Sequence, residues 1–89
     1  MTVVEALLKY GANPNLVRED GCSPLIIASQ MGHENVVKAL LHPDNFNNSY
    51  KTDITIRTVN DYDAISVAAS NTVFELLQNH ALDTQVYII

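Results

Sequence analysis

The chain has 89 residues and a net charge of −5, with all five Lys and Arg residues at or before Arg57. An acidic chain without a basic stripe is a poor match for nucleic acid or an anionic membrane surface. It has no apolar run of about 20 residues to span a bilayer and no signal peptide. Its single cysteine, Cys22, excludes an internal disulfide and fits an intracellular, reducing compartment.

The first predicted helix covers residues 2–10 and carries Val3-Val4-Glu5-Ala6-Leu7-Leu8. Gly11-Ala12-Asn13-Pro14-Asn15 then breaks it, and Asp20-Gly21 marks a tight turn in which Gly supplies positive φ. Ser23 is a good N-cap and Pro24 suits the first helical position, so a second helix is predicted over 24–31, with Leu25, Ile27 and Ala28 beginning its apolar stripe. Gly32 ends it by taking the left-handed C-cap conformation. A third helix follows over 34–41. Within it, Val36-Val37-Lys38-Ala39-Leu40-Leu41 repeats residues 3–8 at a spacing of 33, with five of six positions identical. A fixed period of that length is the mark of a stacked repeat architecture.

Pro43 ends the third helix, and Asn45, Asn47 and Asn48 supply turn chemistry. Ile54-Thr55-Ile56-Arg57-Thr58-Val59 is β-prone. Residues 42–59 hold about seven more residues than the period requires. They read either as a projecting β-hairpin that carries specificity or as a loop tolerated in a decaying repeat. Asn60 to Ala69 then aligns with Asp20 to Ser29, with Asp63 in the capping place of Ser23 and Asp61 in place of Gly21. About four residues are missing where Gln30 to His33 stood. The alignment predicts two further helices, over 64–70 and 72–79. Neither end carries a polar cap, and the last residues, Val86-Tyr87-Ile88-Ile89, are apolar. The chain is therefore expected to be a fragment of a longer array or a truncated product, of low stability when isolated.

Asp20-Gly21, Ser23-Pro24-Leu25, Ala28, Gly32-His33 and Val36-Val37, with the exit Gly11 to Asn15, closely resemble the ankyrin repeat. Ile26 stands where that family usually has His. The resemblance implies an all-α solenoid of stacked helix-turn-helix pairs with short β-hairpin loops. It divides the chain into a partial repeat (1–16), a full repeat (17–48), an inserted segment (49–59) and a degenerate repeat (60–89). It implies a non-catalytic protein-interaction module whose concave face is built from hairpin tips and first helices. Carried over position by position, that face comprises Val17, Glu19, Asp20, Cys22, Gln30 and Met31. In the third copy it comprises Val59, Asn60, Tyr62, Ser70 and Asn71. Glu19, Asp20 and Asp61 would favour a basic patch on the partner. The alternatives are a structural spacer in a larger ankyrin protein or a recruitment segment of an enzyme. Asn15, with Leu7 eight residues upstream, also matches the place where the family can be hydroxylated; a plain turn Asn is the competing reading.

No pattern points to chemistry. Cys22, His33, His42 and His80 match no zinc-ligand spacing. Cys22 lacks the basic neighbours that a reactive thiolate needs. Glu19/Asp20 and Asp61/Asp63 are explained by turns and capping. The three glycines are too far apart for a phosphate loop. No cofactor, metal or catalytic residue is expected.

Overall fold

The computed structural model describes residues 3–84. Residue 2 of the first expected helix and the apolar tail 86–89 lie outside them. Among the described residues there are four α-helices, α1 (Val3–Lys9), α2 (Pro24–Met31), α3 (Glu34–Leu41) and α4 (Asn71–Thr84), with a 3₁₀ helix at Pro43–Phe46. Helix α3 is central. It packs against α2 within its own repeat and against α1 and α4 on either side. The core is built from Leu25, Ile26 and Ala28 of α2, Val37, Leu40 and Leu41 of α3, and Val73, Leu77 and Ala81 of α4. The period is visible in burial, since Leu8 and Leu41, 33 residues apart, are both buried. Leu7 is 53% exposed whereas its counterpart Leu40 is buried. Among the described residues α1 has no first helix of its own to cover it.

The punctuation of the second copy behaves as its residue types dictate. Ser23 is extended, and its Oγ accepts from the Ile26 N–H at 3.2 Å, with Pro24 at the first helical position. Gly32 takes φ 72°, and the N–H groups of Gly32 and His33 close on the carbonyls of Ser29 and Ala28. Within α2, Ile26 is buried and Ile27 is partly exposed. The buried stripe therefore runs through Leu25, Ile26, Ala28 and Ser29 rather than through Ile27.

The third copy departs from expectation. Residues 64–70 do not form a helix. Asp63 and Ser66 begin one with a reciprocal pair of bonds: the Ser66 N–H donates to Asp63 Oδ1 at 2.9 Å, and the Asp63 N–H donates to Ser66 Oγ at 3.0 Å. Only one turn follows, closed by the Val67 N–H on the Asp63 carbonyl. The Ala69 N–H then donates to the Ser29 carbonyl at the end of α2, at 3.0 Å. With four residues missing, the chain meets the preceding repeat before a second turn can form. Ser70 at once caps α4, its Oγ accepting from Val73 N–H at 3.2 Å. Helix α4 is longer than expected, 14 residues.

Segment 42–59 is not a β-hairpin; no strand forms among the described residues. The alternating β-prone residues are spent individually. Ile54 enters the core, and Val59 serves a turn tip. The segment is instead held by side-chain amides. Asn48 is buried, and its Nδ2 donates to the carbonyls of Leu8 at 3.0 Å and Ala12 at 2.9 Å, while its Oδ1 accepts from Tyr50 N–H. Asn15 returns the clasp, donating to the Lys51 carbonyl at 2.8 Å and accepting from Asp53 N–H at 2.7 Å. Asn15 is thus a structural turn residue with both ends of its amide engaged. Thr52 Oγ1 donates to the carbonyl of Leu40.

Two buried polar side chains should respond in opposite ways. Asn48→Ala removes the amide that donates to the Leu8 and Ala12 carbonyls and accepts from the Tyr50 N–H, and should lower unfolding stability by about 1–3 kcal/mol in urea titration. The Ser29 hydroxyl is fully buried without a hydrogen-bond partner. Ser29→Ala removes an uncompensated polar group and should be neutral or stabilising by about 1 kcal/mol in the same assay.

Candidate functional site

The surface formed by the turn tips is assembled from backbone bonds before any side chain acts. In the first tip the Arg18 N–H donates to the Cys22 carbonyl at 3.1 Å and Gly21 N–H to Arg18 O at 2.9 Å. In the next tip Thr58 N–H donates to Tyr62 O at 2.9 Å and Asp61 N–H to Thr58 O at 2.8 Å. The two turns are the same structure displaced by 40 residues. Gly21 has φ 82° and Asp61 has φ 68°, so the left-handed position passes from Gly to Asp, which tolerates it better than most residues. The tips touch. Val59 N–H donates to Asp20 O at 2.8 Å, and a Cβ on Gly21 would lie 3.0 Å from the Arg57 carbonyl oxygen.

Charge on the tips is locally neutralised. Arg18 holds Asp20 through two bonds, with Nη2 2.8 Å from Oδ2. The Arg18 bond, helped by the Cys22 N–H, holds the Asp20 carboxyl below its usual range. Arg57 pairs with Asp61 at 3.2 Å. Two of the three carboxylates assigned to a basic partner are therefore already matched, leaving Glu19. The sequence reading missed both arginines as part of this surface, although Arg18-Glu19-Asp20 and Arg57 four residues before Asp61 were the available signals.

The remaining expected residues divide clearly. Val17, Val59, Tyr62 and Met31 are more than half exposed, and Glu19, Gln30, Asn60 and Asn71 are also on the surface. Cys22 is not; it is 5% exposed and belongs to the core, because the turn that donates its N–H to Asp20 points the side chain inward. Ser70 is half-buried and committed to capping α4. Ile27, one turn before Met31 on α2, is 36% exposed and joins the surface. A run of three apolar residues, Leu25-Ile26-Ile27, concealed which one faced outward. Among the described residues no three His, Cys, Asp or Glu side chains converge as metal ligands.

The repeated tip, the capped helix pair and the second helices side by side agree with a match to the family model described as ankyrin repeats (3 copies), over residues 1–87. The chain belongs to the ankyrin-repeat family. No solved structure gives a significant match. Ankyrin repeats are generally protein-interaction modules, and no helix among the described residues is long and apolar enough to cross a membrane.

Two measurements check the geometry of this ankyrin tip pair. Gly21→Ala must strain a positive φ and push against the next tip's backbone, and should cost about 1–3 kcal/mol in chemical denaturation. Gly11 also has positive φ but faces open space, so Gly11→Ala should cost clearly less. By NMR titration, Asp20 should protonate below its reference value of 3.8, and Arg18→Met should return it upward. The sign follows from a folded pKa that is depressed: the pair's contribution is present above the unfolded pKa and is lost as pH falls through the folded one.

Proposed function

We propose that the chain is a non-catalytic protein-interaction module, a short ankyrin solenoid that binds its partner through the concave face made by the two tips and α2. The observation that carries this reading is the direct tip-to-tip bond from Val59 to Asp20, beside exposed Val17, Val59, Tyr62, Ile27 and Met31. The bond fixes the tips relative to each other, so their side chains are presented with little ordering cost. Tyr62 and Met31 are the natural anchors: Tyr combines area with a polar end, and Met adapts to an irregular surface. With Asp20 and Asp61 matched by arginines, the partner is held mainly by apolar contact, and Glu19 supplies the residual steering of a basic group.

A second reading, a spacer within a larger ankyrin array, is favoured by a different observation. Val3, Leu7 and Tyr10 lie along one face of α1 and its exit, and are 76%, 53% and 87% exposed. That stripe has the spacing of a helix-packing face.

The test uses partners captured on the immobilised protein and then measured singly. Met31→Ala and Tyr62→Ala should each weaken a captured partner by about 1–2 kcal/mol, as expected of anchors. Lys38→Glu, on the exposed side of α3, should do little. If Lys38→Glu abolishes binding while both anchor variants are silent, the concave-face assignment fails.

A further inference from the structure

Away from the tips, the end of α3, the stretch from His42 to Ile54 and His80 of α4 line a half-open cavity of about 580 Å³. That is within the range of about 300–1,000 Å³ typical of ligand sites. Buried Leu41, Pro43 and Ile54 give it an apolar lining. Three rings also line it: Tyr50, which is 44% exposed, and the imidazoles of His42 and His80, which meet edge to face with centroids 5.5 Å apart. The wall is built in advance. Asn48 and Thr52 tie it to the carbonyls of Leu8, Ala12 and Leu40, and Asn15 grips it from outside. A ligand therefore meets a formed cavity instead of ordering a loop.

The charges at the cavity are Asp44, Lys51 and Asp53. Two carboxylates against one ammonium leave an excess of negative charge on the lining.

We propose that this cavity binds an extended peptide segment of a partner protein that presents an aromatic side chain flanked by Lys or Arg. The aromatic ring packs on Pro43 and Ile54 with the edges and faces of Tyr50 and the imidazoles around it. The flanking cation is drawn by Asp44 and Asp53. The proposal rests on reading the chain as an interaction module, but it uses a face separate from the tips.

The chain contains no tryptophan, so a probe's own tryptophan fluorescence reports binding without background. The probes are short capped peptides: tryptophan between two lysines, tryptophan between two glutamates, and alanine between two lysines. By fluorescence, or by NMR for the alanine peptide, the first should bind about tenfold more tightly than either of the others, one such step being 1.4 kcal/mol. Tyr50→Ala should weaken it about fivefold and Asp44→Lys at least as much, with helical circular dichroism unchanged, in line with loss of an aromatic contact and an attractive charge. Equal affinity for the glutamate-flanked peptide, or no effect of Tyr50→Ala, overturns the proposal. Loss of peptide binding in Met31→Ala or Tyr62→Ala would place the peptide on the tips and also overturn it. Silent anchor variants in the partner assay, with peptide binding intact, would remove the concave-face reading alone.

Discussion

The carboxamide of Asn48 is the interaction on which the unusual half of this protein depends. It is buried and shared between two carbonyls at the end of α1 and its exit loop, roughly forty residues earlier in the chain. With the Asn15 bonds to Lys51 and Asp53, it fastens the inserted segment to the first repeat at two points. Buried polar groups are stabilising only when satisfied. Here a single side chain satisfies two backbone acceptors and one donor, so a stretch with only one short 3₁₀ helix becomes a fixed wall.

The insertion and the deletion in the third copy are linked through that wall. The period gains about seven residues before the third tip and loses about four after it. The extra residues bring Thr58 to Tyr62 back into line beside Arg18 to Cys22, as the Val59 to Asp20 bond shows. The missing ones remove the first helix of that copy and let Ala69 bond directly to α2. The tip surface therefore keeps its regular spacing across an irregular repeat, which is the property a protein-interaction face requires. The same irregularity creates the cavity.

Most of the helical frame was legible from residue types alone. Ser23-Pro24 and Gly32 delimit α2, and the repeated Val-Val-x-Ala-Leu-Leu gives α1 and α3, because each choice acts within a few residues of itself. What was not legible depended on distant partners. The sequence of residues 64–70 suits a helix, and Asp63 and Ser66 start one, but its length was set by contact with Ser29. The run Ile54 to Val59 has strand propensity, yet no neighbouring strand exists to pair with it among the described residues. Cys22 was placed on the partner face by family position, whereas its burial follows from the turn's own bond to Asp20. The neutralising arginines needed the folded turn to be seen as part of the surface.

The positive φ of Asp61 bears on how such a repeat can drift. The third copy has given up a helix, its glycines and its regular length, yet the residue at the tip must still enter the left-handed region at φ 68°. Few side chains do so cheaply. The tip is thus the least negotiable part of the repeat, and the helix behind it the most expendable. A degenerate ankyrin copy can fade from its interior outward and still hold its edge, so the tip surface outlives the scaffold usually credited with making it.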